Sequence, residues 1–382
     1  MTDNWFLPAE LDSDLHRKLT GLAPDKAAEA MAVGWEYVRC VVPEFTNWDR
    51  YLALARLTTI GTIAEFRADL VDVVAGEPMC GYDLDELLGI LFDGTLVHEL
   101  MAREYRSMLL LMTEKTAGRR DAGLFCRMVE ALAHTPSDYF RIRDCDGAFR
   151  FFVAAGMACN DVTAGWLSDQ EYQVLAEVGL GMYDAMAFHK HRAEGEICNL
   201  FAYADPQLRQ QAYHMYREAL WALDTAWSRT VAGRCGINFT RLFAGPIHMM
   251  MRRYRFVEDG LMIGRPETEQ VVEQTRRNIK LWYRVDSAPE PGVGDDRYTA
   301  VIADKDRLLF PGLQEMLDRP DDDKCPDCRR RASYGAETIE TFGGVRLCGR
   351  CRATWGAYLL SFPARAAKTL PLRASNAQTA TC

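Results

Sequence analysis

The chain has 382 residues, 48% of them hydrophobic and 26% charged, with a net charge of −9. That length and apolar content suit a large folded core, and the acidic balance argues against a general nucleic-acid binder, which works through basic surface. No apolar run approaches the roughly 20 residues that span a bilayer, and "MTDNWFLPAELDSDL" has no basic region followed by an apolar stretch, so the expectation is a cytoplasmic protein without stable membrane insertion.

Helical periodicity dominates from about Asp25 to Asp286. Helices are predicted over 25–41, 48–75, 83–92, 95–117, 121–134, 144–163, 168–192, 205–230, 246–257 and 266–285. Turn residues punctuate them at "GEPMCGYD" (76–83), "TPSD" (135–138), "ADP" (204–206) and "GP" (245–246). Strand alternation is nearly absent before residue 335. The expected fold is therefore all-α, a multi-helix bundle enclosing a cavity and occupying 1–286. A Pro/Gly-rich stretch, "DSAPEPGVGDD" (286–296), opens a linker with a connecting helix at 298–318, together covering 287–324. A cysteine module follows at 325–358, and a tail at 359–382 closes the chain.

The first chemistry-bearing stretch is "TIAEFRADLVDVV" (62–74), where Glu65, Asp69 and Asp72 recur at helical spacing on an otherwise apolar segment. Burying an unpaired carboxylate costs several kcal/mol, so a cation should meet them. Further along, "FRIRDCD" carries Arg141, Arg143, Asp144 and Asp146; "ACND" carries Asn160 and Asp161. "MYDAMAFHKHRAEGE" carries Asp184, His189, His191, Arg192, Glu194 and Glu196, and "HMMMRRYRF" carries His248, Arg252 and Arg253. A di-iron carboxylate site needs Glu three residues before His, and none of the seven histidines has one. Acids plus arginines on helices fit Mg²⁺ held by a few carboxylates and bridging to a diphosphate, with arginines on the phosphate oxygens.

Four of the twelve cysteines form a pattern: "CPDC" at 325–328, nineteen residues, then "CGRC" at 348–351. Two CxxC knuckles supply four thiolates for a tetrahedral ion, and "ETFGGVRL" between them suits a small hairpin. A structural Zn²⁺ on Cys325, Cys328, Cys348 and Cys351 is expected, with no open position for chemistry. The other eight cysteines are scattered, as buried thiols of a reducing compartment would be.

The segments "WEYVRCVVPEFTNW", "AEFRADLVDV", "MAREY", "FRIRDCD", "ACND", "HKHRAEGE", "GPIHMMMRRYRFVE" and "CPDC…SYGAE…FGGV…LCGRC" resemble, in this order, the alpha-ionylideneethane synthases of fungal abscisic acid biosynthesis. The resemblance runs from about Trp5 to Trp355. It implies a sesquiterpene synthase that ionises farnesyl diphosphate without the usual aspartate-rich motif and proceeds through neutral polyenes. The chain has no DDxxD on a predicted helix, and "NDVTAGWLS" (160–168) departs from the second terpene-synthase metal motif at Ala164 and Ser168.

Under that resemblance, Glu65, Asp69, Asn160 and Asp161 are the candidate Mg²⁺ (or Mn²⁺) ligands. Arg141, Arg143, Arg192, Arg252 and Arg253 are the candidate diphosphate contacts. Asp184, His191 and Glu194 are candidates for proton transfer, with the departing diphosphate as an alternative base. The same residues also read as solvated pairs or structural ion pairs. The expected partner is farnesyl diphosphate, with no nucleic acid and with a homodimer left open. Two rival readings are a helical metal-dependent oxygenase and a zinc-ribbon interaction protein without catalysis.

Overall fold

Local capping chemistry starts several of the helices in the computed structural model, which describes residues 7–19, 21–116, 123–194, 196–247, 296–330 and 343–369. The first elements are α1 (Ala9–Arg17), α2 (Pro24–Val41), opened by a proline at its first position, and α3 (Trp48–Phe66), capped by Asn47. A 3-10 turn (Ala68–Leu70) leads to α4 (Leu84–Phe92), capped by Asp83, and then to α5 (His98–Thr116) and α6 (Gly123–His134). Next come α7 (Pro136–Asp146), capped by Thr135, α8 (Phe149–Cys159) and α9 (Asp169–Met186).

Ser168, one of the two residues at which "NDVTAGWLS" departs from the terpene-synthase motif, starts α9 through a reciprocal capping box with Glu171. Helix α10 (Phe188–Glu194) and a 3-10 turn (Leu200–Tyr203) precede α11 (Pro206–Trp227) and α12 (Val231–Phe243). The C-terminal part adds α13 (Asp296–Ala303), α14 (Lys305–Leu308), α15 (Leu313–Leu317), α16 (Gly349–Leu360) and α17 (Phe362–Thr369). Among the described residues the one sheet is a two-residue antiparallel pairing of β1 (Arg329–Arg330) with β2 (Val345–Arg346). The fold is all-α, as expected, and no described helix is long and apolar enough to cross a membrane.

Several boundaries differ from expectation for identifiable reasons. The helix expected over 48–75 stops at Phe66, because Arg67 leaves helical geometry (φ −136°, ψ 65°) and its guanidinium grips Asp69 two residues on. The helix expected over 144–163 is two helices, separated at Gly147 and at Ala148, whose φ of 51° is left-handed. The helix expected over 168–192 breaks at Ala187 between α9 and α10. The connecting helix at 298–318 is three short ones, interrupted at Asp304 and at "FPG" (310–312). Within the span assigned to the tail, Phe362–Thr369 form α17. The predicted helix at 266–285, and that at 246–257 past Ile247, lie outside the described residues.

Helix α9 sits at the centre, packed against α7, α11, α12 and α17. Its glycines permit this: a Cβ on Gly179 would meet Phe149 of α8 at 2.3 Å, and one on Gly181 would meet Tyr216 of α11 at 2.3 Å. Large rings thus press on α9 from two sides, and Glu177 and Asp184 on the same helix are fully buried. A helix enclosed in this way must find partners for its charges inside the protein.

Candidate functional site

Helix α7 carries charges on two faces, and both faces are buried. On one, Arg141 donates to both oxygens of Glu104 on α5, at 2.7 and 2.6 Å, and lies 3.5 Å over the Phe310 ring. Beside it Asp144 accepts from Nε and the backbone N–H of Arg150, at 2.6 and 2.9 Å, and Arg150 reaches Asp169 at 2.8 Å. Burial pulls against the charge on Arg141, but Glu104 outweighs it and the guanidinium holds its proton more firmly than usual. Burial pushes the Asp144 carboxyl up, opposed by Arg150 and Arg141.

The other face of α7 meets α9. Arg143 donates to Asp146 at 2.6 Å and to Asp184 at 3.3 Å, and Lys115 of α5 closes on Asp146 at 2.5 Å. The second oxygen of Asp184 accepts from the Tyr139 hydroxyl and, at 2.8 Å, from the Leu200 N–H. Burial pushes Asp184 up, with Arg143 the chief opposing charge. Both carboxylate oxygens are therefore already engaged, and Asp184 acts as a hub that joins α7, α9 and the Leu200–Tyr203 turn.

His191 belongs to the same hub through Asn199. The Asn199 side-chain oxygen accepts from the Phe201 N–H at 3.0 Å, and its amide nitrogen donates to the Asp184 carbonyl at 2.9 Å. Those two bonds fix which end of the amide is which, so the amide nitrogen also donates to His191 Nδ1, 2.9 Å away. An Nδ1 that accepts leaves the ring proton on Nε2. His191 thus has its Nδ1 engaged as an acceptor and its ring proton on Nε2.

The remaining expected residues do not join this hub. Asp69 is exposed and paired with Arg67 at 2.8 and 2.7 Å, and that pairing holds its carboxyl below the usual range. Glu65 ends α3 and is half-buried, its carbonyl accepting from Thr116 at 2.9 Å. Asp161, left-handed at φ 49°, accepts from Thr46 at 3.1 Å and from Asn47 at 3.0 Å. Asn160 donates to the carbonyls of Glu44 and Gly156 at 2.8 and 2.9 Å.

Asn47 caps the start of α3 and Glu65 lies at its end, a separation of about 27 Å at helical rise. One metal ion cannot bind both Asp161 and Glu65, which corrects the four-residue ligand set. Arg192 lies on α10 with Nη2 at 3.2 Å from His189 Nδ1. The Glu194 side chain, Arg252 and Arg253 lie outside the described residues. Tyr139 and Lys115 leave no signal in the sequence because their partners, Asp184 and Asp146, lie 45 and 31 residues away.

Among the described residues, the one group of three or more His, Cys, Asp or Glu whose ligand atoms gather is Cys325, Cys328, Cys348 and Cys351, all within 4.8 Å of one another. A tetrahedral ion with metal–sulfur bonds of about 2.3 Å sets its sulfurs about 3.8 Å apart, and the Cys325 and Cys348 sulfurs are 3.8 Å apart. Donors already point at the sulfurs: the Cys348 N–H reaches Cys328 at 3.4 Å and Arg350 reaches Cys325 at 3.5 Å. The Asp327 backbone, and then Arg350, pull the Cys325 thiol down to about 6, while burial pushes Cys328 and Cys351 up. The four sulfurs gathered at this spacing fit a tetrahedral cation. The cluster could hold a metal ion; the expected Mg²⁺ ligands show no such gathering.

Residues 3–372 match the protein-family model described as alpha-ionylideneethane synthase aba3. The chain is 49% identical, over 97% of its length and 83% of the relative's, to the alpha-ionylideneethane synthase aba3 of Botryotinia fuckeliana (strain B05.10). It is 49% identical to the alpha-ionylideneethane synthase abl3 of Leptosphaeria maculans, over 97% of this chain and 86% of that one. It is 43% identical to abl3 of Pyricularia oryzae (strain Y34), over 97% of this chain and 83% of that one.

Proposed function

Because the chain belongs to the alpha-ionylideneethane synthase family, we propose that it converts farnesyl diphosphate to alpha-ionylideneethane or a related sesquiterpene in the abscisic acid route. The observation that carries this reading is 49% identity maintained over 97% of the chain. The reaction class is a lyase: the allylic C–O bond breaks, diphosphate takes the electron pair, and one proton leaves the carbon skeleton, giving a neutral hydrocarbon.

The protein's part is to exclude water from the cation and to hold its shape. The first task calls for an apolar enclosure that keeps water from an allylic cation. The cross-linked charges support the second: groups fixed in place need no reorganisation as charge develops. Arg141 and Arg143 are bound to carboxylates, so Arg252 and Arg253 are the proposed diphosphate contacts. The His191 Nε2 donor suits hydrogen bonding to an oxygen rather than proton abstraction.

Mg²⁺ would supply charge to a leaving diphosphate. The expected ligands do not converge, so no step is assigned to it. The cysteine cluster we assign to a structural Zn²⁺, with all four positions closed and none open to substrate.

Incubation of the full chain with C10, C15 and C20 prenyl diphosphates, with and without Mg²⁺ or Mn²⁺, tests the function. A fifteen-carbon hydrocarbon from farnesyl diphosphate is the expected result. A folded preparation that leaves all three substrates intact under every metal condition overturns it. Elemental analysis should find about one zinc per chain, lost in Cys348→Ser together with folding stability.

A further inference from the structure

The cysteine cluster and the Asp184 hub lie on separate stretches of chain, and one side chain connects them. Cys348 immediately precedes α16 and Cys351 lies in its first turn. Trp355 follows Cys351 by four residues, one turn on along the same face. Its ring is 2% exposed and meets two tyrosines edge-on: Tyr139 with centroids 5.5 Å apart and Tyr203 with centroids 4.8 Å apart.

Those two tyrosines belong to the elements that hold Asp184. Tyr139 donates its hydroxyl to that carboxylate, and Tyr203 ends the 3-10 turn whose first residue, Leu200, donates its N–H to it. The same turn follows Asn199, which sets the His191 tautomer. Trp355 Nε1–H has no acceptor among the described residues, so ring contacts and the α16 backbone fix the indole.

The two ends of the C-terminal helices are anchored differently. At the far end, Arg365 of α17 donates to both oxygens of buried Glu177 on α9, each at 2.6 Å. At the near end, Cys348 precedes α16 with no side-chain cap, and its N–H donates instead to Cys328 Sγ at 3.4 Å, so the first turn is tied to the sulfur cluster.

We infer that Trp355 is a positioning residue through which a metal on Cys325, Cys328, Cys348 and Cys351 sets the geometry of the Asp184–His191 hub. The inference rests on the assignment of Zn²⁺ to the cluster. When the metal leaves, the first turn of α16 loosens, Trp355 withdraws from Tyr139 and Tyr203, and the donors to Asp184 shift. Arg365 keeps α17 on α9, so the bundle stays folded while the hub changes.

The test uses the full chain, with zinc counted and the imidazole resonances followed by NMR. The His191 signal is assigned by its loss in His191→Gln. Removing zinc with a chelator should move the His191 resonance while far-UV helicity persists, and adding Zn²⁺ should return it. Trp355→Leu should move the same resonance at unchanged zinc content, and Trp355→Phe, which keeps a ring between the tyrosines, should restore it. Turnover of farnesyl diphosphate should fall about tenfold or more in Trp355→Leu, the scale of a small misplacement in an active site, and recover in Trp355→Phe. Folded protein without bound zinc overturns both the metal assignment and the inference. Zinc that binds and leaves without moving the His191 signal overturns the inference alone, and this arm decides even if Trp355→Leu does not fold.

Discussion

Acids sit on apolar helical sequence in two places, near Glu65 and along α7 to α9, and the protein treats them in opposite ways. Asp69 is exposed and meets an arginine two residues away. Asp144, Asp146 and Asp184 are buried, and Arg143 on α7 bonds Asp184 on α9, 41 residues along the chain. A local, exposed pair is solvated in the unfolded chain almost as well as in the folded one, so it contributes little. A buried pair gives up its hydration and recovers it only from partners that the fold delivers. Position in the fold, rather than acid spacing, therefore separates an incidental carboxylate from one on which the structure depends.

The most direct way to break this comparison is to truncate one acid of each kind. Asp184→Ala leaves Arg143, Tyr139 and the Leu200 N–H facing a void, and should lower unfolding free energy by about 3–5 kcal/mol. Asp69→Ala should cost less than about 1 kcal/mol. Urea unfolding of both variants decides, and equal losses would erase the distinction.

Asn199→Asp sharpens it at the hub itself. The substitution turns the donor facing His191 Nδ1 into an acceptor, so the ring should take a proton there and become cationic. Turnover of farnesyl diphosphate should fall at least about tenfold, within the range expected when a proton-bearing group changes state. Imidazole ¹⁵N shifts of His191 report the tautomer independently of activity.

A smaller effect is expected at His189, where burial, then the charges of Arg209 and Arg192, lower the imidazole from 6.5 to about 4. The unfolded chain takes up this proton near 6.5 and the folded chain only near 4, so between those values the unfolded state binds more protons. This contribution to stability is present above 6.5 and is lost as pH falls towards 4. Thermal melts across that interval should show the slope in wild type and a shallower one in His189→Gln.

Glu65→Gln should have the smallest effect. Glu65 ends α3 and shares no metal geometry with Asp161, so turnover should stay within about two- to threefold of wild type, the reach of a ±0.5 kcal/mol change. A loss of orders of magnitude in single-turnover product formation would restore Glu65 as a ligand and undo the contrast.

Much of this was readable in the residues themselves. Asn47, Asp83, Thr135, Ser168, Asp205 and Thr230 each cap a helix by accepting an N–H three positions on. The CxxC knuckles likewise place their sulfurs by local spacing, and the ordered motifs identified the family. Such features act over a few residues, so sequence alone determines them. The hub could not be read this way: Tyr139 reaches Asp184 across 45 residues, Arg143 across 41, and Arg141 reaches Glu104 across 37. Even the end of α3 at Phe66 required knowing that Arg67 would turn back to Asp69 rather than continue an apolar helix. Contacts of this kind leave no periodic trace, because their free energy arises only when packing removes water from both partners at once; the tertiary structure alone decided them.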